Sequence, residues 1–215
     1  VYCSKYDKLI DVGSSSQISI EDINFEGANE IAVDMINNEQ VTITGCEFRY
    51  IGIRAIRALS TKNLIVSKCK FSDCLSSAIQ FTGSSFLLSS RGSDCTISDC
   101  SFDNIAPFVG MNYHADRGDA SAIHAFVSKN LTIEGNTFDL VAKAAVLWQG
   151  TNVRISQNYV KGAVLLFSDF GAIYNFYSPD DNTVPFPYSG RLITENIIVN
   201  CPGNTFGTTT LPQNV

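Results

Sequence analysis

Two stretches of the sequence carry the same set of reactive groups. Asp119-Ala-Ser-Ala-Ile-His-Ala-Phe126 and Asp169-Phe-Gly-Ala-Ile-Tyr-Asn-Phe176 both read D-x-x-A-I-[H/Y]-x-F. Each sets a carboxylate five residues ahead of a group that exchanges protons, His124 in one and Tyr174 in the other. Two carboxylates on one face can divide acid and base work. Apolar surroundings keep one protonated while the other stays ionised. A histidine titrates near neutrality, so His124 can orient either carboxylate or act as the acid itself. Aspartate at a strand entry also caps turns by accepting backbone N–H bonds, and that role is open to Asp119 and Asp169 as well.

Further polar and aromatic residues gather near these two. His114, Asp116 and Arg117 stand just before Asp119, and Tyr177, Asp180 and Asp181 follow Tyr174. Aromatic rings beside carboxylates suit a sugar: the ring stacks on the apolar face and the carboxylate accepts hydroxyl bonds. Elimination on an acidic sugar would draw on Arg57, Arg117, His114, His124 and Tyr174 instead, because it needs a base and positive charge near the substrate carboxylate. The same aromatics would also serve simply to pin loops onto the fold. Asp180-Asp181-Asn182 gathers hard oxygen ligands of the kind calcium takes. A solvated acidic loop is the better account of that run, so no cofactor and no structural metal is expected.

Positioning these groups requires a regular scaffold, and the sequence supplies one as an internal repeat. The segments ISIEDINF (18–25), VTITGCEF (41–48), LIVSKCKF (64–71), CTISDCSF (95–102), LTIEGNTF (131–138) and VRISQNYV (153–160) share a pattern, and LITENIIV (192–199) joins with a small shift. One column runs Ile23, Cys46, Cys69, Cys100, Asn136, Asn158, Asn196, and another, two residues later, runs Phe25, Phe48, Phe71, Phe102, Phe138, Val160, Ile198. The shortest recurring spacing is about 23 residues. Longer spacings are that period plus loops near 82–94, 103–119 and 175–190. Alternation with period two, β-branched residues and breaks at Gly, Ser and Asn indicate short strands rather than helices.

Such repeats cannot bury an inner face alone, so they stack into a solenoid. The expected fold is all-β: a parallel β-helix of about seven or more coils, neighbouring coils about 4.8 Å apart. Stacked Phe fills the interior, stacked Asn passes amide hydrogen bonds between coils, and Cys46, Cys69 and Cys100 act there as small buried hydrophobes. A second block (IAVDM, RAIRA, SAIQF, SAIHA, AAVLW, GAIYN) alternates inward and outward residues. Its outward column is Asp34, Arg57, Gln80, His124, Leu147, Tyr174. Asp119 and Asp169 lie two coils apart, which separates equivalent Cα atoms by about 9.6 Å. That is near the roughly 6.5–9.5 Å carboxyl separation of an inverting glycosidase.

Composition narrows the rest. The chain has 215 residues, 45% hydrophobic and 17% charged, with net charge −6. The acidic balance argues against nucleic acid as a partner, and no apolar run approaches the ~18 residues of a membrane span. One domain over 1–215 is expected, with 1–14 as a candidate cap and 203–215 as an irregular tail. Val1 falls in mid-pattern, so a mature form or a piece of something longer is expected, working as a monomer or as a segment of a larger protein.

The Asn ladder, the Phe stack and the ~23-residue period resemble the right-handed parallel β-helices of the pectate-lyase-like superfamily, over about residues 15–200. The resemblance implies a secreted or cell-surface protein acting on polysaccharide. The Asn-Thr-Asp, Gly-His-Gly and Arg-Ile-Lys set that polygalacturonases of this superfamily carry is absent; Arg154-Ile155-Ser156 comes nearest and lacks the Lys. Asp169-Phe170-Gly171-Ala172-Ile173-Tyr174 is similar to the Asp-Gly-Gly-Ala-Ile-Tyr segment of bacterial β-helix proteins, some of them glycosidase-like, but has Phe at the second place. The sequence therefore leads to a glycoside hydrolase centred on Asp119, Asp169 and His124. Tyr174, Arg57, Gln80, His114, Asp116, Arg117 and Tyr177 would contact the sugar. A polysaccharide lyase on the same groove, or a carbohydrate-binding or adhesive module without catalysis, is the alternative.

Overall fold

The computed structural model describes residues 5–82, 92–108, 120–167, 170–175 and 189–203. These residues contain strands and turns and no helix. The first turn of the chain contributes β1 (Lys8–Asp11), β2 (Ser16–Glu21) and β3 (Asn24–Glu26). The next two contribute β4 (Ile31–Ile36), β5 (Glu39–Thr44) and β6 (Glu47–Arg49), then β7 (Arg54–Leu59), β8 (Lys62–Ser67) and β9 (Lys70–Ser72). There follow β10 (Ser77–Thr82), β11 (Gly92–Ser98) and β12 (Ser101–Ile105). Beyond these, one long strand does the work of two: β13 (Ile123–Glu134) precedes β14 (Thr137–Val141), and β15 (Val146–Ser156) precedes β16 (Tyr159–Lys161). The last are β17 (Ile173–Asn175), β18 (Arg191–Thr194) and β19 (Ile197–Val199).

Every pairing is parallel, between one turn of the chain and the next. The third strands form a seven-stranded sheet in the order β19-β16-β14-β12-β9-β6-β3. The first and second strands run in two ladders that β13 and β15 join into one twelve-stranded sheet. β1 pairs in parallel with β4, so residues 8–11 belong to this sheet.

Local sequence makes the corners. Between the second and third strands one residue per turn takes a left-handed backbone: Asp22, Gly45, Lys68, Asp99, Gly135, Gln157 and Glu195, with φ between 53° and 68°. A single such residue swings the chain from one strand direction to the next and aims the following side chain inward. The inward residue is the Cys/Asn column. Asn158 Nδ2 donates to Ile133 O at 3.0 Å and to Asn196 Oδ1 at 2.9 Å, while Asn136 N donates to Asn158 Oδ1 at 3.0 Å. Cys100 N donates to Asn136 Oδ1 at 2.9 Å, so the ladder passes from amides to thiols without a break. The thiols bond where the amides do. Cys46, Cys69 and Cys100 approach the carbonyl two residues back at 3.4, 3.2 and 3.1 Å, as Asn196 does at 3.0 Å. They are free and buried.

The Phe column closes the core. Rings from Phe25 to Phe138 stack with centroids 4.7–4.9 Å apart and planes within 7°. That spacing equals the strand spacing, so ring stacking and strand pairing reinforce each other. Each buried ring contributes about 1.5–3 kcal/mol. Ile43, Val66, Ile97, Ile133 and Ile155 form a parallel aliphatic column opposite.

Candidate functional site

The outward column of the first ladder is in register from end to end. Asp34 pairs with Arg57, Arg57 with Gln80, Gln80 with His124, His124 with Leu147, and Leu147 with Tyr174. Their chain neighbours Ile79, Phe81, Ile123, Ala125 and Val146 lie in the core, so alternation turns this column to the outer side. It is nonetheless covered along much of its length. His124 is 2% exposed, and Gln80 and Leu147 are buried with it. The His124 ring meets the Phe126 ring edge-on at a centroid distance of 4.2 Å. Tyr174 and Arg57 are half-buried.

At one end the column is an ion-pair network. Arg57 donates twice to Asp34, and Lys8 Nζ reaches the same carboxylate at 2.6 Å. Burial pushes the Asp34 pKa up, but the bonds from Arg57 and Lys8 outweigh it and hold the carboxyl below the usual range. The Arg57 guanidinium is held above its ordinary value, chiefly by that same bond. Arg57 is thus engaged by a partner in its own fold.

At the other end stands a group that the sequence reading passed over. Lys143 is 6% exposed, and its ammonium lies 4.2 Å from the centre of the Phe170 ring and 5.5 Å from that of Phe167. Phe170 also contacts Tyr174, centroids 4.9 Å apart, and meets Phe167 edge-on at 6.2 Å. Backbone bonds fix Lys143 between turns: its N–H donates to Ala120 O, and its carbonyl accepts from Val164 N. Counting back from the Val146–Ile173 pair places Lys143 opposite Phe170. A lysine inside Val141-Ala142-Lys143-Ala144-Ala145 was the available signal, because lysine is seldom fully buried without a reason. Rings with a cation above them form a cation–π cluster.

Asp119, Asp169, His114, Asp116, Arg117 and Tyr177, and the candidate calcium run 180–182, lie outside the described residues. Of the expected site, the structure brings His124 and Tyr174 onto one strip with Leu147 between them, and it adds Lys143 against Phe170, the ring that touches Tyr174. Gln80 adjoins His124, whereas Arg57 is drawn to Asp34. Among the described residues, no cluster of three or more metal-ligating side chains occurs.

The comparisons with known proteins agree with the fold. Residues 4–165 match the family described as the right handed beta helix region, and the chain belongs to that family. Among solved structures it is similar to PfbA, a surface adhesin of Streptococcus pneumoniae, at 19% identity and a TM-score of 0.57. The match covers 80% of this chain and 45% of the adhesin chain, so the sequence spans less than half of that protein. No curated protein matches the chain. No helix among the described residues is long and apolar enough to cross a membrane.

Proposed function

We propose that the chain is a carbohydrate-binding β-helix module with its glycan site on the outer face around Lys143, Phe170 and Tyr174. The observation that carries this reading is the half-buried pair Phe170 and Tyr174 beside a buried ammonium. A pyranose stacks its C–H face on such rings, and the lysine donates to a hydroxyl or carboxylate at the ring edge. The likeness to a surface adhesin supports the same reading, with the module part of a secreted or cell-surface rod of about seven or more coils. The partner is a polysaccharide or glycan, with no nucleic acid and no cofactor, and the rod works as a monomer or as a segment of a larger protein.

A glycoside hydrolase on the same strip is the second reading. It is favoured by the place of Lys143, one position past the column that Asp119 and Asp169 occupy by sequence. An ammonium near one of two carboxylates keeps that one ionised and leaves the other to serve as acid. His124, buried on the neighbouring turn, would orient them. Of the cations that a lyase would draw on, Arg57 is already paired with Asp34.

Affinity electrophoresis through gels containing plant, algal and host polysaccharides tests the binding reading. Retardation of the wild type on one of them is expected. Phe170→Ala and Tyr174→Ala each weaken it about tenfold, the scale of one lost aromatic contact. Release of reducing ends from the retarding polysaccharide, abolished in Asp169→Asn, would replace this reading by the hydrolase. Release with ultraviolet-absorbing unsaturated ends would replace it by the lyase. Binding indifferent to both aromatic substitutions would sink the site.

A further inference from the structure

A second surface feature lies at the end of β12 and β14. There an apolar pocket of about 130 Å³ opens between Ile105, Pro107, Leu140, Leu165 and Leu166. A cavity of similar size, ~150 Å³, accommodates a benzene ring, so this one fits one large apolar side chain. Backbone bonds from Leu165 N to Val141 O and from Leu166 N to Ala142 O hold its far wall against β14.

At this corner Leu140 stands where most turns carry Gly, Asn or Asp. The corner after the third strand is left-handed throughout, and its column reads Gly27, Tyr50, Asp73, Asn104, Leu140, Gly162, Asn200. Gly, Asn and Asp take this conformation readily. Leu140 does so at φ 54° while 48% exposed, which serves neither the corner nor the core. Val164, a β-branched residue, holds φ 59° directly before the far wall. Phe108, beside Pro107, is 56% exposed. Exposed apolar side chains thus gather at one pocket, as they do where a fold serves a ligand.

Beside the apolar lip the surface is acidic. Asp103 stands in register with Asp139, on the turn adjacent to Asp73. Asp139 is paired with Lys161 at 3.1 Å, and Asp73 accepts from Asn104 at 2.7 Å. Desolvation first, then repulsion from Asp139 and Asp73, holds the Asp103 carboxyl above its usual value. A cation brought to Asp103 would relieve that repulsion.

We propose that this pocket docks a basic peptide segment of a partner protein: one leucine or phenylalanine side chain enters between Leu140 and Leu166, and a flanking lysine or arginine meets Asp103. The charge of the rim selects this occupant over an acidic or neutral one. The pocket adjoins the aromatic cluster around Lys143, since its lining residues Ala142 and Leu166 are the chain neighbours of Lys143 and Phe167, but it takes a different class of ligand.

The test uses the chain with fluorescein-labelled peptides: Lys-Lys-Leu-Phe-Lys-Lys, its serine version Lys-Lys-Ser-Ser-Lys-Lys, and its acidic version Glu-Glu-Leu-Phe-Glu-Glu. Fluorescence anisotropy should show the first peptide bound at least about tenfold more tightly than either control. Leu140→Asn should lower that affinity about tenfold. It keeps the fold, because Asn104 and Asn200 already take this backbone in the same column. Asp103→Asn should weaken binding and reduce its dependence on salt. No binding by any peptide, equal binding of the leucine-phenylalanine and serine versions, or an unchanged affinity in Leu140→Asn would each overturn the proposal. So would loss of polysaccharide binding in Leu140→Asn, since the pocket would then belong to the glycan.

Discussion

Arg57 grips Asp34 across neighbouring turns with two hydrogen bonds, Nε to Oδ1 at 2.7 Å and Nη2 to Oδ2 at 2.6 Å. The Asp34 side chain is fully buried and Arg57 is about a quarter exposed. The pair lies on the outer column, so it locks the first turns together from outside while the Phe stack does so from within.

Because the folded carboxyl titrates below its unfolded value, the pair stabilises the fold above the ordinary aspartate value of about 3.9. That contribution is lost as pH falls through the lower, folded value. Asp34→Asn should cost about 3 kcal/mol at neutral pH, the low end for a broken buried pair because Arg57 retains some water. Urea unfolding at neutral pH and at about pH 3 checks this, because the gap between wild type and variant should narrow in acid. A gap that stays constant would show that Asp34 does not titrate with unfolding.

Asn158 sits mid-ladder, and its amide bonds Asn136 and Asn196 as well as Ile133 O. Asn158→Ala leaves several buried groups without partners and should destabilise by about 3 kcal/mol. Asn158→Cys should recover part of that loss, because thiols at Cys46, Cys69 and Cys100 reach the equivalent carbonyls. Thermal unfolding of the two variants should therefore rank Cys above Ala; the reverse order would mean that the thiols only fill space.

Cys74 and Cys95 should be inert while the rod is folded. Burial pushes the Cys74 thiol up to about 12 and raises Cys95 as well. Thiolate, the reactive form, is then scarce at pH 8. A chromogenic disulfide reagent should label Cys201, which is only half-buried, well before Cys74 or Cys95. Guanidinium should make all of them react at once. Peptide mapping of the labelled sites checks the order, and rapid labelling of Cys95 in the folded protein would contradict it.

The core was legible because each inward column tolerates few residue types. Phe25 to Phe138 and Asn136, Asn158 and Asn196 repeat at the coil period, and a one-residue slip would turn every one of them outward. The thiol positions were legible by the same alignment, though the alignment alone did not show that Cys46, Cys69 and Cys100 copy the amide's bonds to the carbonyls two residues back.

Periodicity also put Asp34, Arg57, Gln80, His124, Leu147 and Tyr174 in one outer column. It could not say which of them would meet water or each other. Alternation decides only the direction of a side chain. Cover, pairing and cation–π contact depend on residues far away in sequence, such as Lys8 on Asp34 or Phe170 on Lys143. Thus the sequence by itself determined the solenoid, its register and its inner columns, since identical neighbours stacked at one spacing admit a single arrangement. Only the tertiary structure decided that His124 is sealed, that Arg57 is consumed by Asp34, and that a lysine in an alanine-rich run stands under aromatic rings. Those outcomes are set by side-chain contacts between turns, which the repeat pattern does not encode.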